Sequence, residues 1–501
     1  MRHFTYIFIY ILTLLFCFGN ASAQLVTNQP KHEFRAVWLT TLNNLDWPRT
    51  TGTSASAISR QKQELTQILD QLQAANFNAV VFQTRIRGTV LYPSKYETWD
   101  ACLSGRYGVN PGYDPLAFAI EECHKRGMQL HAWVVAIPAT KLAAGKALGS
   151  QALEKKHPEL CIRTNESYML DPGVPGTADY IASICEEITQ NYDIDGISFD
   201  YIRYPEKEIK FSDQSTFKKY ATPGQSLADW RRQNMNYIVK TIHDRVKAIK
   251  PWVALSCSPV GKYNDTKRYP SGGWNAYRAV NQDAKLWIKE GWMDMLMPMM
   301  YFKGNHYFPF ALDWQEDANN RCIATGLGVY LIDRTQRDWP LSIMESEICF
   351  DRDHGLGGQV FFRSDFVTRN PKGIYNLLRD NLYRTKSLIP PLAGDSIPTP
   401  QPPASGSIIE SAQSTTLQWA SADDCTYTIY RSNTYPIDLS DPANIWQTGL
   451  TTTSVTIAAP MPTCWLPCYA VTAVNRYGRE SEALYINKPY QPISVKGVKD
   501  L

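Results

Sequence analysis

The stretch Ile194-Asp195-Gly196-Ile197-Ser198-Phe199-Asp200-Tyr201-Ile202-Arg203-Tyr204-Pro205 is a short apolar run that ends in charge. Residues 194–200 are too few for a typical helix and are rich in β-branched and aromatic side chains, so they read as a strand. Their near-continuous apolarity is that of a parallel strand covered on both faces. Seven further runs share this character, at 34–40, 79–85, 129–135, 253–258, 293–298, 327–331 and 359–363. Amphipathic stretches separate them. Residues 57–75 place Ile58, Leu65, Ile68, Leu69 and Leu72 on one helical face, and 227–249 do the same with Met235, Ile238, Val239, Ile242 and Val246. Helix stops fall at Asn76, at Arg126-Gly127 and at Lys250-Pro251. Eight βα units predict an α/β fold of the closed (β/α)8, or TIM-barrel, type. No glycine-rich dinucleotide fingerprint follows the first strand, which argues against an open doubly wound sheet.

The 501 residues exceed one barrel, and two flanking segments account for the excess. At the N-terminus a short basic start, Met1-Arg2-His3, precedes an apolar run to Phe18 and then Ala21-Ser22-Ala23, with small residues where a signal peptidase reads. We read 1–23 as a secretory signal peptide, which predicts export to the periplasm or the extracellular space. The apolar run is too short to span a bilayer, and we expect no transmembrane segment. Cys17 follows Leu15-Phe16, not the small residues of a lipoprotein signal, so it belongs to the apolar run. The barrel is then expected over 24–388. Residues 389–405 form a proline-rich linker. Beyond it the hydrophobic period drops to two, as in Thr416-Leu417-Gln418-Trp419, which predicts a small all-β, immunoglobulin-like sandwich over 406–491 and a tail at 492–501.

Composition narrows the function. A net charge of +3 gives no polyanion-binding character, so no nucleic-acid partner is expected. Aromatic residues make up 12%, with 14 Trp and 28 Tyr, enough for both a large core and sugar-stacking platforms. Of 11 cysteines, ten remain without Cys17. Cys123 and Cys185 sit at core-like helical positions, and only Cys464 and Cys468 suggest a local bridge. No Cys/His cluster has zinc spacing, so neither metal nor cofactor is expected. The methionines at 293, 295, 297, 299 and 300 read as barrel filling.

Several motifs resemble one family. Glu33-Phe34-Arg35-Ala36-Val37-Trp38-Leu39-Thr40-Thr41 with Asn43-Asn44-Leu45-Asp46-Trp47-Pro48, then Phe82-Gln83-Thr84-Arg85, Leu91-Tyr92-Pro93-Ser94, Tyr113-Asp114-Pro115-Leu116-Ala117-Phe118, His124-Lys125-Arg126-Gly127, His131-Ala132-Trp133 and the opening stretch from Asp195 to Pro205, resemble the glycosyl-hydrolase-like family 10. The resemblance spans about 33–385. It implies an exported bacterial (β/α)8 barrel and a carbohydrate substrate, and some envelope members look like enzymes of peptidoglycan glycan strands. Many members carry two adjacent aspartates at the end of the fourth strand. Tyr201 stands in the second place here, which puts in doubt a mechanism that needs both carboxylates there. The segment from Tyr469 to Asn475, with Tyr477-Gly478-Arg479-Glu480-Ser481, looks like the last strands of a fibronectin type III domain.

Substrate meets a barrel at the C-terminal ends of its strands. Asp200 closes the fourth strand and is the first candidate for catalytic nucleophile or base; pairing with Arg203 is its other reading. Asp195, at the start of that strand, reads as a turn or cap residue. Glycoside hydrolysis calls for a second carboxyl, and Glu97, Asp46 and Glu206 are the candidates. Gln83, Trp99, His131, Trp133, Arg203, Tyr204 and Tyr301 are candidate substrate-binding residues, as are Arg85 and Arg363. Arg85, Arg203 and Arg363 either bind an anionic or N-acetylated sugar or form an internal salt-bridge layer. His131 either donates to a sugar hydroxyl or sits in the core. Trp99 and Trp133 either stack on sugar or pack inside, whereas Trp38 reads as core. Two function classes follow: an exported glycoside hydrolase acting on a polymeric glycan, with peptidoglycan strands first and other polysaccharides second, and a non-catalytic glycan-binding protein on a degenerate barrel. Neither a Ser-His-Asp nor a zinc signature supports cleavage of another bond.

Overall fold

The computed structural model describes residues 28–394, 397–410, 414–458 and 467–486. The expected signal peptide, Cys464 of the expected local bridge and the expected tail lie outside the described residues.

Eight parallel strands close a barrel. They are β1 (Phe34–Leu39), β2 (Ala79–Arg85), β3 (Gln129–Val135), β4 (Gly196–Asp200), β5 (Ala254–Cys257), β6 (Met295–Leu296), β7 (Cys322–Leu327) and β8 (Gly358–Phe362). Each pairs with its sequence neighbour, and β1 closes the ring: Phe34 lies opposite Gly358, and Ala36 opposite Ala79. The period of two sorts every strand. Phe34, Ala36 and Trp38 of β1 point into the barrel with Val81, Met295, Met297 and Val360, while Val37 and Leu39 join the layer under the helices. Met293 and Met300 fill that outer layer, and Cys123 and Cys185 are buried in it.

The helices form as their sequence dictates. Helix α1 (Ala55–Ala74) starts where the Ser54 hydroxyl accepts the Ala57 amide and buries Ala57, Gln61, Leu65, Leu69 and Leu72. Helix α2 (Pro115–Lys125) starts at Asp114 with proline in its first turn. Helix α3 (Gly176–Asn191) packs against α4 (Leu227–Ile249), which Ser226 caps. The shorter α5 (Ala284–Lys289), α6 (Phe308–Glu316) and α7 (Ser342–Asp353) complete the ring with the segment from Ile374 to Leu382.

The seventh strand differs from expectation. It runs over Cys322–Leu327 and not 327–331; Val329–Ile332 is a 3-10 turn instead. The interior explains the shift. A Cβ on Gly326 would stand 2.9 Å from the Trp38 indole, so β7 needs small residues there, and these weaken its apolar signal below that of the turn that follows. The sixth strand is also shorter than expected, only Met295–Leu296.

After the linker, β9 (Gly406–Glu410), β10 (Ser414–Trp419) and β13 (Ser454–Ala458) form one antiparallel sheet. The strands β11 (Cys425–Ser432), β12 (Ile445–Leu450), β14 (Cys468–Asn475) and β15 (Leu484–Tyr485) form another. Leu417, Trp419, Tyr427, Ile429 and Val471 make a common core. The other face of the second sheet covers the barrel floor, where the strands begin. Leu388 inserts among Tyr430, Ile445 and Cys468; Arg476 bonds Asp193 at 2.6 Å; Lys31 meets Glu480 at 2.7 Å.

Candidate active site

Asp200 is the last residue of β4, and the strand's alternation aims it inward: Ile197 and Phe199 pack outward, while the Ser198 hydroxyl meets Met297 inside. The carboxyl therefore stands in the barrel mouth. Its Oδ1 accepts the Tyr201 amide at 2.8 Å and the Ser258 hydroxyl, just past β5, at 3.4 Å. The Trp133 indole N–H, buried without a partner at full hydrogen-bond geometry, lies near enough to favour the charged carboxylate. Burial pushes the Asp200 carboxyl above its ordinary value; the Arg203 charge and these donors oppose it without cancelling it. Asp200 is thus a basic carboxylate, surrounded by donors and without a direct salt bridge among the described residues.

Aromatic groups surround it. Burial and then the Asp200 charge hold the Tyr301 phenol well above its usual range, so Tyr301 stays protonated and able to donate. Its ring packs on Phe362 and Tyr330. Tyr201, at positive φ, turns its ring outward at 38% exposure, and Trp274 is 40% exposed. The Arg203 guanidinium lies over both rings, at 4.8 and 5.9 Å from their centres. Two exposed aromatic faces steadied by one cation make a platform for an apolar sugar face.

The other sequence candidates take different places. Glu97 is buried and holds Arg85 through both carboxylate oxygens at 2.6–3.0 Å, while the Tyr180 hydroxyl donates to the same group. Arg85 spends its remaining donors on the Val135 and Ala136 carbonyls. Asp46 accepts the Thr40 amide at 2.8 Å and bonds Arg363, which links the loop after β1 to the end of β8. Burial raises the Asp46 pKa against the Arg363 charge. Glu206 bonds Arg203 at 2.7 Å; burial pushes it up, but the Arg203 charge wins and it lies below its ordinary value. Of the two roles open to Arg85, Arg203 and Arg363, the internal salt-bridge layer is the one the structure displays.

Gln83 is a buried clasp, not a group facing open space. Its carbonyl oxygen accepts the Thr40 hydroxyl and the Thr41 and Leu42 amides at 2.8–3.0 Å. His131 lies opposite Gly196, at the floor, roughly 13 Å below Asp200 at about 3.3 Å per residue. It stacks edge-on against Phe34, and desolvation lowers its pKa to about 4. It is the core histidine of its two readings. Trp133 is inside the barrel and Trp99 half-buried at the rim. Tyr204 is buried against Asn234 of α4 and faces away from the mouth. Asp195 accepts the Leu130 amide and His124 at 2.9 Å, a cap at the floor.

Sequence reasoning passed over Ser258 and Trp274. Trp274 had a usable signal, a tryptophan after two glycines in a loop following a strand.

A closed barrel with a donor-ringed carboxylate and exposed aromatics at its mouth places the protein in the class of (β/α)8 barrels of the glycoside hydrolase type. More closely, the chain belongs to the family described as glycosyl hydrolase-like 10, whose sequence model matches residues 33–337. It is 33% identical over 412 residues to "Glycosyl hydrolase YngK" of Bacillus subtilis (strain 168), covering 78% of this chain and 79% of that one. It is 30% identical over 375 residues to "Glycosyl hydrolase DigH" of Escherichia coli (strain K12), covering 68% of this chain and 85% of that one. Among solved structures, the PgaB (BpsB) glycoside hydrolase domain from Bordetella bronchiseptica is similar at a TM-score of 0.49 and 12% identity, over 70% of this chain and 98% of that one.

Proposed function

We propose that this protein is an exported glycoside hydrolase that cleaves a polymeric glycan, with peptidoglycan glycan strands as the first substrate class and Asp200 as nucleophile or base. The observation that carries the reading is the Asp200 carboxylate itself. It is desolvated enough to be basic, held by the Tyr201 amide and Ser258, and open to a mouth flanked by Tyr201 and Trp274. Such a group can attack an anomeric carbon or draw a proton from water. Tyr301, protonated beside it, can donate to a ring or leaving-group oxygen. Export rests on residues 1–23 and the envelope substrate on the family resemblance. The C-terminal sandwich, fibronectin III-like in sequence, acts as a spacer or docking module.

One observation favours a second reading, glycan binding without turnover. Each of the other candidate carboxyls, Asp46, Glu97 and Glu206, is engaged by an arginine. Mass spectrometry of soluble products separates the two. Wild type and Asp200→Asn are incubated with purified peptidoglycan strands, with and without stem peptides, and with neutral polysaccharides. Products from wild type alone support the hydrolase. Binding with no products from any substrate supports the binding protein.

A further inference from the structure

The same face of the barrel carries a cavity of about 340 Å³ near the Asp200 centre. Its walls are Leu42 and Asn43 after β1, Ile86 and Arg87 after β2, and the Pro138–Lys141 strand with the Leu142–Leu148 helix after β3. That volume is in the range of a small-ligand pocket.

Its charges are unusual for this protein. The arginines at the ends of β2 and β8 and after β4 are each neutralised by a carboxylate. The Arg87 guanidinium, half-buried in the cavity wall, makes no hydrogen bond or ion pair among the described residues, and neither does the exposed Lys141 ammonium beside it. The acid in the wall is Asp100, and both its oxygens are used: one accepts the Thr89 hydroxyl at 2.7 Å, the other the Cys102 amide at 2.9 Å. Thr140 adds a hydroxyl that is buried without a partner, and Tyr107 adds a phenol. The cavity lies over the ends of β1, β2 and β3, and β3 pairs with β4 so that Val135 stands opposite Asp200, which brings the cavity and the Asp200 centre side by side.

A half-buried guanidinium without a counter-ion, at the edge of a glycan site, calls for an anion from the ligand. Two cations against one acid leave a single net positive charge. That balance suits a monoanion, and a phosphate dianion would be under-neutralised and close to Asp100. We propose that this cavity is a subsite for a carboxylate-bearing sugar residue of the glycan, with Arg87 as the anchor of the carboxylate. The proposal rests on the reading of the mouth as glycan-acting and adds the chemistry of one sugar. Two sources share that chemistry, a uronic acid and an amino sugar with an ether-linked lactyl group.

Calorimetric titration of the full chain tests it, with two matched ligand pairs. One pair is a uronate oligosaccharide and its neutral parent. The other is a lactyl-ether amino-sugar oligosaccharide and the same compound with its carboxylate amidated. The expected result is that in one arm the acid binds about tenfold more tightly than its neutral partner, which identifies the source. This preference shrinks with added salt in the wild type, falls below about threefold in Arg87→Gln and is partly restored in Arg87→Lys. Equal affinities for acid and neutral partner in both arms overturn the proposal, as does a preference that survives in Arg87→Gln. Product analysis on the same ligands keeps the two readings apart. Turnover with equal affinities removes the subsite and leaves the hydrolase; a charge preference with no turnover supports the subsite and removes the hydrolase.

Discussion

Ser258, one residue past the end of β5, donates its hydroxyl to the Asp200 carboxylate at the end of β4, 3.4 Å away. Two adjacent strands thus end on one ionisable group, and the hydroxyl favours its charged form against burial. Ser258→Ala removes that support, so the Asp200 pKa rises further. If Asp200 acts as the ionised group, the acid limb of the kcat/KM profile moves to higher pH, with little change on the alkaline side. The pH–rate profile of the variant on the substrate identified by product analysis measures this, and an unmoved acid limb removes Asp200 from that role.

Arg85 and Glu97 are both almost fully buried, and breaking a buried pair leaves one charge uncompensated, at a cost of about 3–5 kcal/mol. Glu97→Gln should therefore lower the thermal midpoint strongly, and Arg85→Met with Glu97→Leu should recover much of the loss, since neither charge then remains. Thermal unfolding of the single and double variants checks this. A Glu97→Gln protein of wild-type stability that has lost turnover would instead make Glu97 the missing acid.

Gln83→Ala tests how the loop after β1 is held. One amide oxygen satisfies the Thr40 hydroxyl and the Thr41 and Leu42 amides, and its loss strands buried donors, at a cost of roughly 3 kcal/mol. Leu42 and Asn43 also wall the cavity that holds Arg87, so faster hydrogen exchange at 40–43 should accompany the loss of stability.

The contrast between these residues shows what the sequence makes legible. The strands β2 and β3 begin and end where the pattern put them, because parallel barrel strands are continuously apolar. The strand β7 escaped because the Trp38 indole requires Gly326, and a glycine carries no apolar signal. The residues at the strand ends were likewise visible, but not their partners. Arg363 finds Asp46 across 317 positions, and no spacing rule predicts that pairing. Arg85 and Arg87 look alike in the sequence, and only the fold separates them, by giving Glu97 to Arg85 and no carboxylate among the described residues to Arg87.

Buried ionisable groups set opposing pH dependences of stability. Burial raises Asp351 to about 7 despite hydrogen bonds from Tyr307 and Thr325, and Glu347, one turn away, well above its ordinary value. Native protein then holds more protons than unfolded chain from about pH 4 upward, so these acids make stability fall as pH rises through about 7. His131, lowered to about 4, acts in the other direction between about 4 and 6.5, where the unfolded chain binds the extra proton. Above pH 6.5 only the acids remain of these three. The thermal midpoint should drop from pH 6.5 to 8, and Asp351→Asn with Glu347→Gln should flatten that drop. An equal slope in the double variant would assign it to other groups.

The last prediction concerns the sandwich on the barrel floor. The chain passes Gly127 over Gly449 so closely that a Cβ on Gly127 would stand 2.3 Å from the Thr448 carbonyl oxygen, and Gly127 also sits at positive φ. Around this crossing lie the Arg476–Asp193 bond, at 2.6 Å, and a cavity of about 160 Å³ lined by both parts of the chain. Gly127→Val must push the sheet away, and the first consequence is exposure of Leu388 and Ile389, where the linker starts. Limited proteolysis within 389–405 should therefore quicken markedly in the variant. The mouth lies at the opposite end of the strands, where barrels keep their chemistry, while the floor serves stability. Truncation at Pro390 should accordingly lower the thermal midpoint, because it bares Leu388 and leaves Asp193 without Arg476, yet retain turnover of a small soluble substrate. Loss of that turnover from a folded, truncated barrel would mean that the sandwich contributes to the site, against the separation of floor and mouth.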